Sequence, residues 1–197
     1  QLEKAGATVL VVPADISNPI DVTQLLETVK TSLPPLAGVV HAAGVLDDGV
    51  LAQQSWERFR RVMAAKVDGA WNLHQMTQDL SLDFFICFSS ISSMLGNAGQ
   101  GNYAAANAFL DALAHHRRAL GLPSLTVNWG PWERVGMAAN LGDRDRARMA
   151  NEGLGTIDLK QGLQVLGMLL GSSTTQIAAV PLNWAKFLRK FPANAYP

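Results

Sequence analysis

Short apolar runs alternate along this chain with longer segments in which apolar residues recur every three or four positions. Residues 9–12, 38–42, 84–88, 124–128 and 176–180 are the runs of strand length. Residues 22–33, 56–80, 100–120 and 159–170 carry helical spacing. This alternation predicts an α/β fold, a parallel sheet with crossover helices. All five strand runs are apolar on both faces, as expected where helices cover both sides of a sheet. Gly121 followed by Pro123 predicts where the third helix stops.

One stretch breaks the pattern. Residues 131–156, GPWERVGMAANLGDRDRARMANEGLG from Gly130 onward, are charged and punctuated by glycine, with a short helical patch at 143–151. A long excursion after a sheet strand reads as a lid over a ligand site or as a solvated insertion.

Composition narrows the partners. The 197 residues are 48% apolar and 16% charged, which is a globular composition of one-domain length. Lys plus Arg and Asp plus Glu both number 16, so no net field attracts nucleic acid or an acidic membrane surface. The run FFICF is far shorter than the roughly 20 residues of a membrane span. The single Cys87 cannot form an internal disulfide, which fits a cytoplasmic, reducing setting, and inside an apolar strand it reads as inert core. The opening QLEKAGATVL has neither a basic n-region nor a cleavage-like site and reads as an excision from a longer chain.

The chemistry concentrates in FSSISSMLGNAGQGNYAAAN. Ser90 ends an apolar strand, and ligands of open parallel sheets bind beyond the carboxyl ends of strands. A serine-rich turn accounts for it equally well, since Ser89, Ser92 and Ser93 crowd around it. Tyr103 and Asn107 are four apart, so they share one helix face. A phenol there can protonate a carbonyl oxygen as hydride arrives at its carbon, provided the phenolate is stabilised, because its reference pKa is near 10. Lys66, set among Val62, Ala65, Val67 and Ala70, is the candidate ammonium for that task; it snorkels to water or points into a site. Asn107 orients the phenol or a water, or else satisfies backbone groups as a buried amide.

The order strand, serine, tyrosine at a helix start, amide four later, with a lysine on the preceding long helix, resembles the short-chain dehydrogenase/reductase family. More closely, ADISNP, VVHAAGVLDDGVL, AKVDGAWNLH, FSSISSMLGNAGQGNYAAANAFLDALAHHRR, VNWGPW and VPLNWAKF are similar to ketoreductase domains of modular polyketide synthases, over nearly the whole chain. The lysine and asparagine are exchanged relative to most short-chain reductases, as in polyketide and animal fatty acid synthase ketoreductases. The resemblance implies that Tyr103 is the general acid, Ser90 binds the ketone oxygen, Lys66 lowers the tyrosine pKa and reaches the nicotinamide ribose, and Asn107 completes the proton network. It implies NADPH as cofactor. The expected substrate is a 3-ketoacyl chain on the phosphopantetheine of an acyl carrier protein.

Further residues follow from the same likeness. Asp15 and Ile16 are expected to line the adenine pocket, although by spacing Asp15 equally caps the turn into the first helix. Ala42, Ala43 and Gly44 are small enough for a dinucleotide to approach the backbone. Pro131 and Trp132 of WGPW are expected to pass the nicotinamide carboxamide, and Met137 to begin the lid. Leu46, Asp47 and Asp48 form the LDD sequence that marks B-type ketoreductases, and Leu95 stands where the other class has tryptophan. Both imply a D-configured 3-hydroxyl. Without the family, Asp47-Asp48-Gly49 reads as an acidic turn. His41 reads as a satisfied core histidine, and His115 and His116 as surface residues with no metal set around them.

No GxGxxG occurs anywhere, and the second strand that would meet the cofactor's 2'-phosphate is also missing. The expected architecture is an incomplete Rossmann-like doubly wound parallel sheet of short-chain dehydrogenase/reductase type, lacking its first strand-turn-helix-strand. The chain, residues 1–197, is then the C-terminal part of one ketoreductase domain. Its partners would be other synthase domains, including the N-terminal part of the reductase. Alternatives are a non-catalytic structural fragment of a synthase module, or the ketoreductase of a fatty acid synthase.

Overall fold

The computed structural model describes residues 2–133, 136 and 143–191. Four parallel strands, β1 (Gly38–His41), β2 (Phe84–Ser90), β3 (Leu125–Trp129) and β4 (Gln176–Ala179), lie in the order β1-β2-β3-β4. Register places Val40 beside Ile86, Phe88 beside Val127 and Asn128 beside Ala178. The helices are α1 (Pro19–Ser32), α2 (Trp56–Met63), α3 (Gly69–Thr77), α4 (Ser92–Leu95), α5 (Gly101–Ala119), α6 (Asp143–Asn151), α7 (Leu159–Leu170) and α8 (Trp184–Phe187).

The double-sided apolar runs do serve two layers. Phe85 and Cys87 of β2 face a core of Val22, Ala70, Leu73, Leu110 and Leu113, drawn from α1, α3 and α5. Ile86, between them, faces the opposite way, where Leu125, Val127 and Trp129 of β3 pack with Ile157 and Leu169. The period of two along a strand produces this division. Each fully buried aliphatic side chain here, Leu110 for example, contributes about 2 kcal/mol.

Local chemistry explains the helix ends. The Asn18 side chain accepts from the Ile20 amide and Pro19 takes the first helical position of α1. Asp158 caps α7 in the same manner. After α5, Gly121 sits at φ +76° and the Leu122 amide donates to Arg117 O, so the expected glycine stop is built as a left-handed cap.

Three expectations need correction. Residues 9–12 form no strand: Val11 is 85% exposed, and no neighbouring strand pairs with the segment among the described residues. A strand exists only through its ladder partners, whatever its side chains. For the same reason β1 is an edge, with Val40 half exposed. The single helix expected over 56–80 is two helices, α2 and α3, joined by a wide π-helical turn, Ala64–Asp68. Residues 42, 124 and 180 lie just outside their strands, a difference of one residue at a frayed end.

Of the 131–156 segment, residues 134, 135 and 137–142, Met137 among them, lie outside the described residues. Its base is pinned, since Ile157 donates to Pro131 O and Glu133 to Ile157 O. The short helix expected at its centre is α6.

Candidate active site

The π-helical turn decides the direction of Lys66. Widening the helix there turns its side chain inward, where it is only 2% exposed. Nζ donates to the main-chain oxygen of Phe88 at 3.0 Å and lies 5.5 Å from the centroid of the Tyr103 ring. Burial pulls its pKa down to about 8, against the opposing pull of Cys87 and Asp111. Snorkelling to water is therefore excluded.

Tyr103 and Asn107 share the buried face of α5, as their spacing predicts. Burial pushes the phenol's pKa up; the Asn107 and Ser90 side chains beside it pull it down, and the charge of Asp48 pushes it up again. Asn107 Nδ2 donates to Tyr103 O at 2.8 Å, while its Oδ1 is buried without a hydrogen-bond partner. That orphan acceptor is the sort of group a site keeps for a donor that arrives with its ligand. Ser90, at the carboxyl end of β2, accepts from the Ser92 amide through Oγ at 3.2 Å. The hydroxyl proton is thus left to donate elsewhere.

Asp47 and Asp48 form more than an acidic turn. Asp47 pairs with Arg58 and Arg61 of α2, Arg58 Nε donating to Oδ1 at 2.7 Å and Arg61 NH1 to Oδ2 at 2.8 Å. Arg58 also donates to Asp48 O. From the other side, Gln100 Nε2 reaches Asp48 Oδ2 at 2.9 Å, Asn102 Nδ2 reaches Asp47 O at 2.8 Å, and the Gly49 amide donates to Gly99 O. The loop is clamped between α2 and the first turn of the tyrosine helix. Leu46 and Leu95 are both exposed.

The residues expected at the cofactor vary in what they offer. Ala42 and Ala43 are exposed just past the carboxyl end of β1, with no bulk to keep a ligand from the backbone. Asp15 accepts from Ser17 through both its amide and its hydroxyl, so it builds the turn into α1 rather than ending a strand. Ile16 packs into the first core and against Gly69, leaving the main chain as its contribution to a ligand. Trp132 lies on Trp129, ring centroids 4.9 Å apart, and against Gly162 of α7. Gly44 and Pro131 are half-buried. The small side chains past β1 leave the backbone open to a ligand on the side of Lys66 and Tyr103 expected to hold a nicotinamide; no glycine-rich turn for the pyrophosphate occurs among the described residues.

Other polar residues were not singled out by sequence. Asp111, Thr126, Asn128 and Ser93 form a buried network between α5 and the sheet. Spacing held one clue, since Tyr103, Asn107 and Asp111 follow each other at intervals of four. Arg117 is buried over the Phe85 ring at 3.9 Å and donates to Pro123 O at 3.2 Å, with His74 Nδ1 3.0 Å from NH1. His41 is buried, but its Nε2 has no partner, so it is not the satisfied histidine expected. His115 and His116 are exposed. Burial pushes the Cys87 thiol up to about 12, which keeps it inert. Among the described residues no group of three or more His, Cys, Asp or Glu could hold a metal ion, and no helix is long and apolar enough to cross a membrane.

The chain is similar to known proteins in sequence and in fold. A sequence model described as the KR domain matches residues 1–134. A type I phenolphthiocerol synthesis polyketide synthase of Mycobacterium marinum is 46% identical over 198 residues, covering 100% of this chain and 9% of the synthase. A Mycobacterium tuberculosis relative, 43% identical over 197 residues, covers 100% of this chain and 12% of its own length, and its name calls it inactive. Among solved structures, an A1-type ketoreductase superposes with a TM-score of 0.88 at 37% identity, over 98% of this chain and 40% of that one. The chain thus spans a small part of the curated relatives it matches.

Proposed function

The chain belongs to the ketoreductase (KR) domain family of modular type I polyketide synthases, and on that premise we propose that it carries the catalytic half of an NADPH-dependent reductase. Its substrate is a 3-ketoacyl thioester on the phosphopantetheine arm of an acyl carrier protein, and its product the 3-hydroxyacyl thioester. The observation that supports this most is the meeting of Ser90, Tyr103, Lys66 and Asn107 at the carboxyl end of the parallel sheet.

Each side chain has a role its surroundings suit. Ser90, whose oxygen already accepts from the Ser92 amide, donates its proton to the ketone oxygen and orients it. Tyr103 Oη gives its proton to the same oxygen as that oxygen gains charge. Lys66 holds its ammonium beneath the ring, where its field favours the phenolate left behind. Asn107 Oδ1 accepts from a water that returns the proton. Bound NADPH supplies the hydride to the carbonyl carbon. Ala42, Ala43, Gly44, the main chain at Asp15 and Ile16, and Pro131 and Trp132 line its path.

The LDD loop and Leu95 support a B-type outcome, a D-configured hydroxyl, with the acyl arm entering beside Leu46. Residues outside this chain would supply the pyrophosphate turn. A second reading, a non-catalytic piece of a synthase, draws on the relative whose name calls it inactive. The intact four-residue set weighs against it. NADPH oxidation by the synthase module containing this chain, with a 3-ketoacyl thioester, tests the proposal; the expected result is a 3-hydroxyacyl product of one configuration. No oxidation would refute the reductase reading, and an L-configured product the B-type assignment.

A further inference from the structure

Asp111 lies on α5, four residues after Asn107 and eight after Tyr103. The residue is 8% exposed, and its carboxylate has donors from three residues within reach. Ser93 Oγ stands 2.6 Å from Oδ2, Thr126 Oγ1 2.9 Å from Oδ1, and Asn128 Nδ2 3.0 and 2.8 Å from the two oxygens. Burying a carboxylate is costly unless its bonds are complete, and an apolar side chain would fill the space between α5 and β3 without that demand. The opposite face of β3 is packed in that apolar way, with Leu125, Val127 and Trp129.

The network grips the turn that carries Ser90. The single Ser93 hydroxyl proton has Asp111 Oδ2 and, at 2.9 Å, Ser90 O within reach, and the two protons of Asn128 Nδ2 are shared among the carboxylate, Ser89 Oγ at 3.1 Å and Ser93 Oγ at 2.8 Å. Ser89 Oγ in turn donates to Asn107 O at 3.3 Å. Serine and asparagine are thereby held at a fixed offset through one buried anchor.

Lys66 Nζ lies over Tyr103, on the same helix as Asp111, 5.5 Å from the ring centroid, and the Asp111 charge raises the Lys66 pKa against its burial. The titratable groups around that ammonium are His41 from β1, Cys87 from β2, and Tyr103 and Asp111 from α5. Burial and the Lys66 charge keep His41 neutral, and burial keeps the Cys87 thiol protonated. Tyr103 is protonated until it reacts, which leaves Asp111 as the negative charge of the set.

We propose that Asp111 is a positioning residue of the reductase site, fixing the Ser90 turn through Ser93 and Asn128 and placing a buried carboxylate on the α5 face over which the Lys66 ammonium lies. The inference rests on the reductase reading above. Its test is steady-state kinetics of the synthase module with NADPH and a 3-ketoacyl thioester, for the parent, Asp111→Asn and Ser93→Ala. Asp111→Asn should lower kcat by at least about tenfold with KM for NADPH within about twofold, and should move the alkaline limb of kcat to lower pH. Ser93→Ala, which keeps the charge, should lower kcat and leave that limb in place. Parental kcat in Asp111→Asn, or a lower kcat with an unmoved limb, overturns the proposal. If Asp111→Asn does not fold, Ser93→Ala decides, and parental kcat there overturns it. A parent module that does not oxidise NADPH refutes the reductase reading itself, and this inference with it.

Discussion

Asn102, one residue before the phenol, donates its side-chain amide to Asp47 O at 2.8 Å while its Oδ1 accepts from the Tyr103 amide. A single buried side chain thus ties the LDD loop to the residue assigned the proton. Arg58 and Arg61 hold the loop from its other side. Asn102→Ala leaves the Asp47 carbonyl without its donor and should cost about 1–3 kcal/mol. The expected outcome, read by thermal melting and chiral analysis of the product, is a lower Tm and a mixture of hydroxyl configurations. A single configuration at parental purity would mean that the clamp does not set the approach of the acyl arm.

Tyr103→Phe removes the hydroxyl assigned the proton transfer and little else, since the ring stays packed with Val62 and Ala106. Turnover should fall at least about a hundredfold, with NADPH affinity nearly unchanged. Fluorescence titration and steady-state kinetics measure the two effects separately. A variant turning over near the parental rate would contradict the role assigned to the phenol.

Lys66 is charged below about pH 8 and loses its proton as pH rises through that value, because burial lowers its pKa from 10.5. The field that favours the phenolate disappears with that proton. The pH profile of kcat should therefore fall on its alkaline side near pH 8, and Lys66→Met should be slow at every pH. A profile flat to pH 9.5 would show that the ammonium is not needed in the charged form.

His41 gives the opposite limb. Its folded-state pKa is depressed to about 4, chiefly by burial and then by the Lys66 charge, against 6.5 for an unperturbed imidazole. The neutral ring is the one the fold accepts, so its stability is whole above pH 6.5 and is lost as pH falls toward 4. The loss amounts to about 3 kcal/mol once both states are protonated. His74, lowered by burial and by Arg117 and His116, acts in the same direction. The stability of the parent chain, read as the urea midpoint, should fall between pH 6.5 and 4, and His41→Leu should flatten that dependence. An equal fall in the variant would assign the acid sensitivity to other groups.

The parts of this architecture that were legible in the sequence are those in which side-chain pattern and backbone partners coincide. Strands β2, β3 and β4 are apolar runs with neighbours to bond, and α5 and α7 carry a full amphipathic period between a start and a stop. Residues 9–12 have the pattern without the partners, and pairing is a tertiary property. Lys66 had two readings because a lysine among apolar residues either snorkels to water or points into a site, and only the fold, with a π-helical turn at Ala64–Asp68, shows it buried. Asp111 sits in FLDALAHHRR, where an acidic residue on a charged helix reads as surface; only the fold brings Thr126 and Asn128 opposite it.

Gly69 joins the π-helical turn to the turn at Asp15. A methyl group placed on it would lie 2.7 Å from Ile16 Cδ1 and 2.8 Å from Cγ1. Ile16 cannot retreat freely, since it packs on the first core and its main-chain oxygen accepts from Asn72 at 3.0 Å. Gly69→Ala therefore trades a helix-propensity gain of about 1 kcal/mol for overpacking of about 1–3 kcal/mol. The displacement falls on residues 15–17. If Asp15 and Ile16 line the adenine end of the cofactor, NADPH should bind more weakly while kcat at saturating NADPH stays near the parental value. Binding by fluorescence titration together with kcat separates the outcomes: unchanged affinity with a lowered Tm would place the adenine elsewhere, and a lowered kcat would mean that the strain travels along the helix to Lys66.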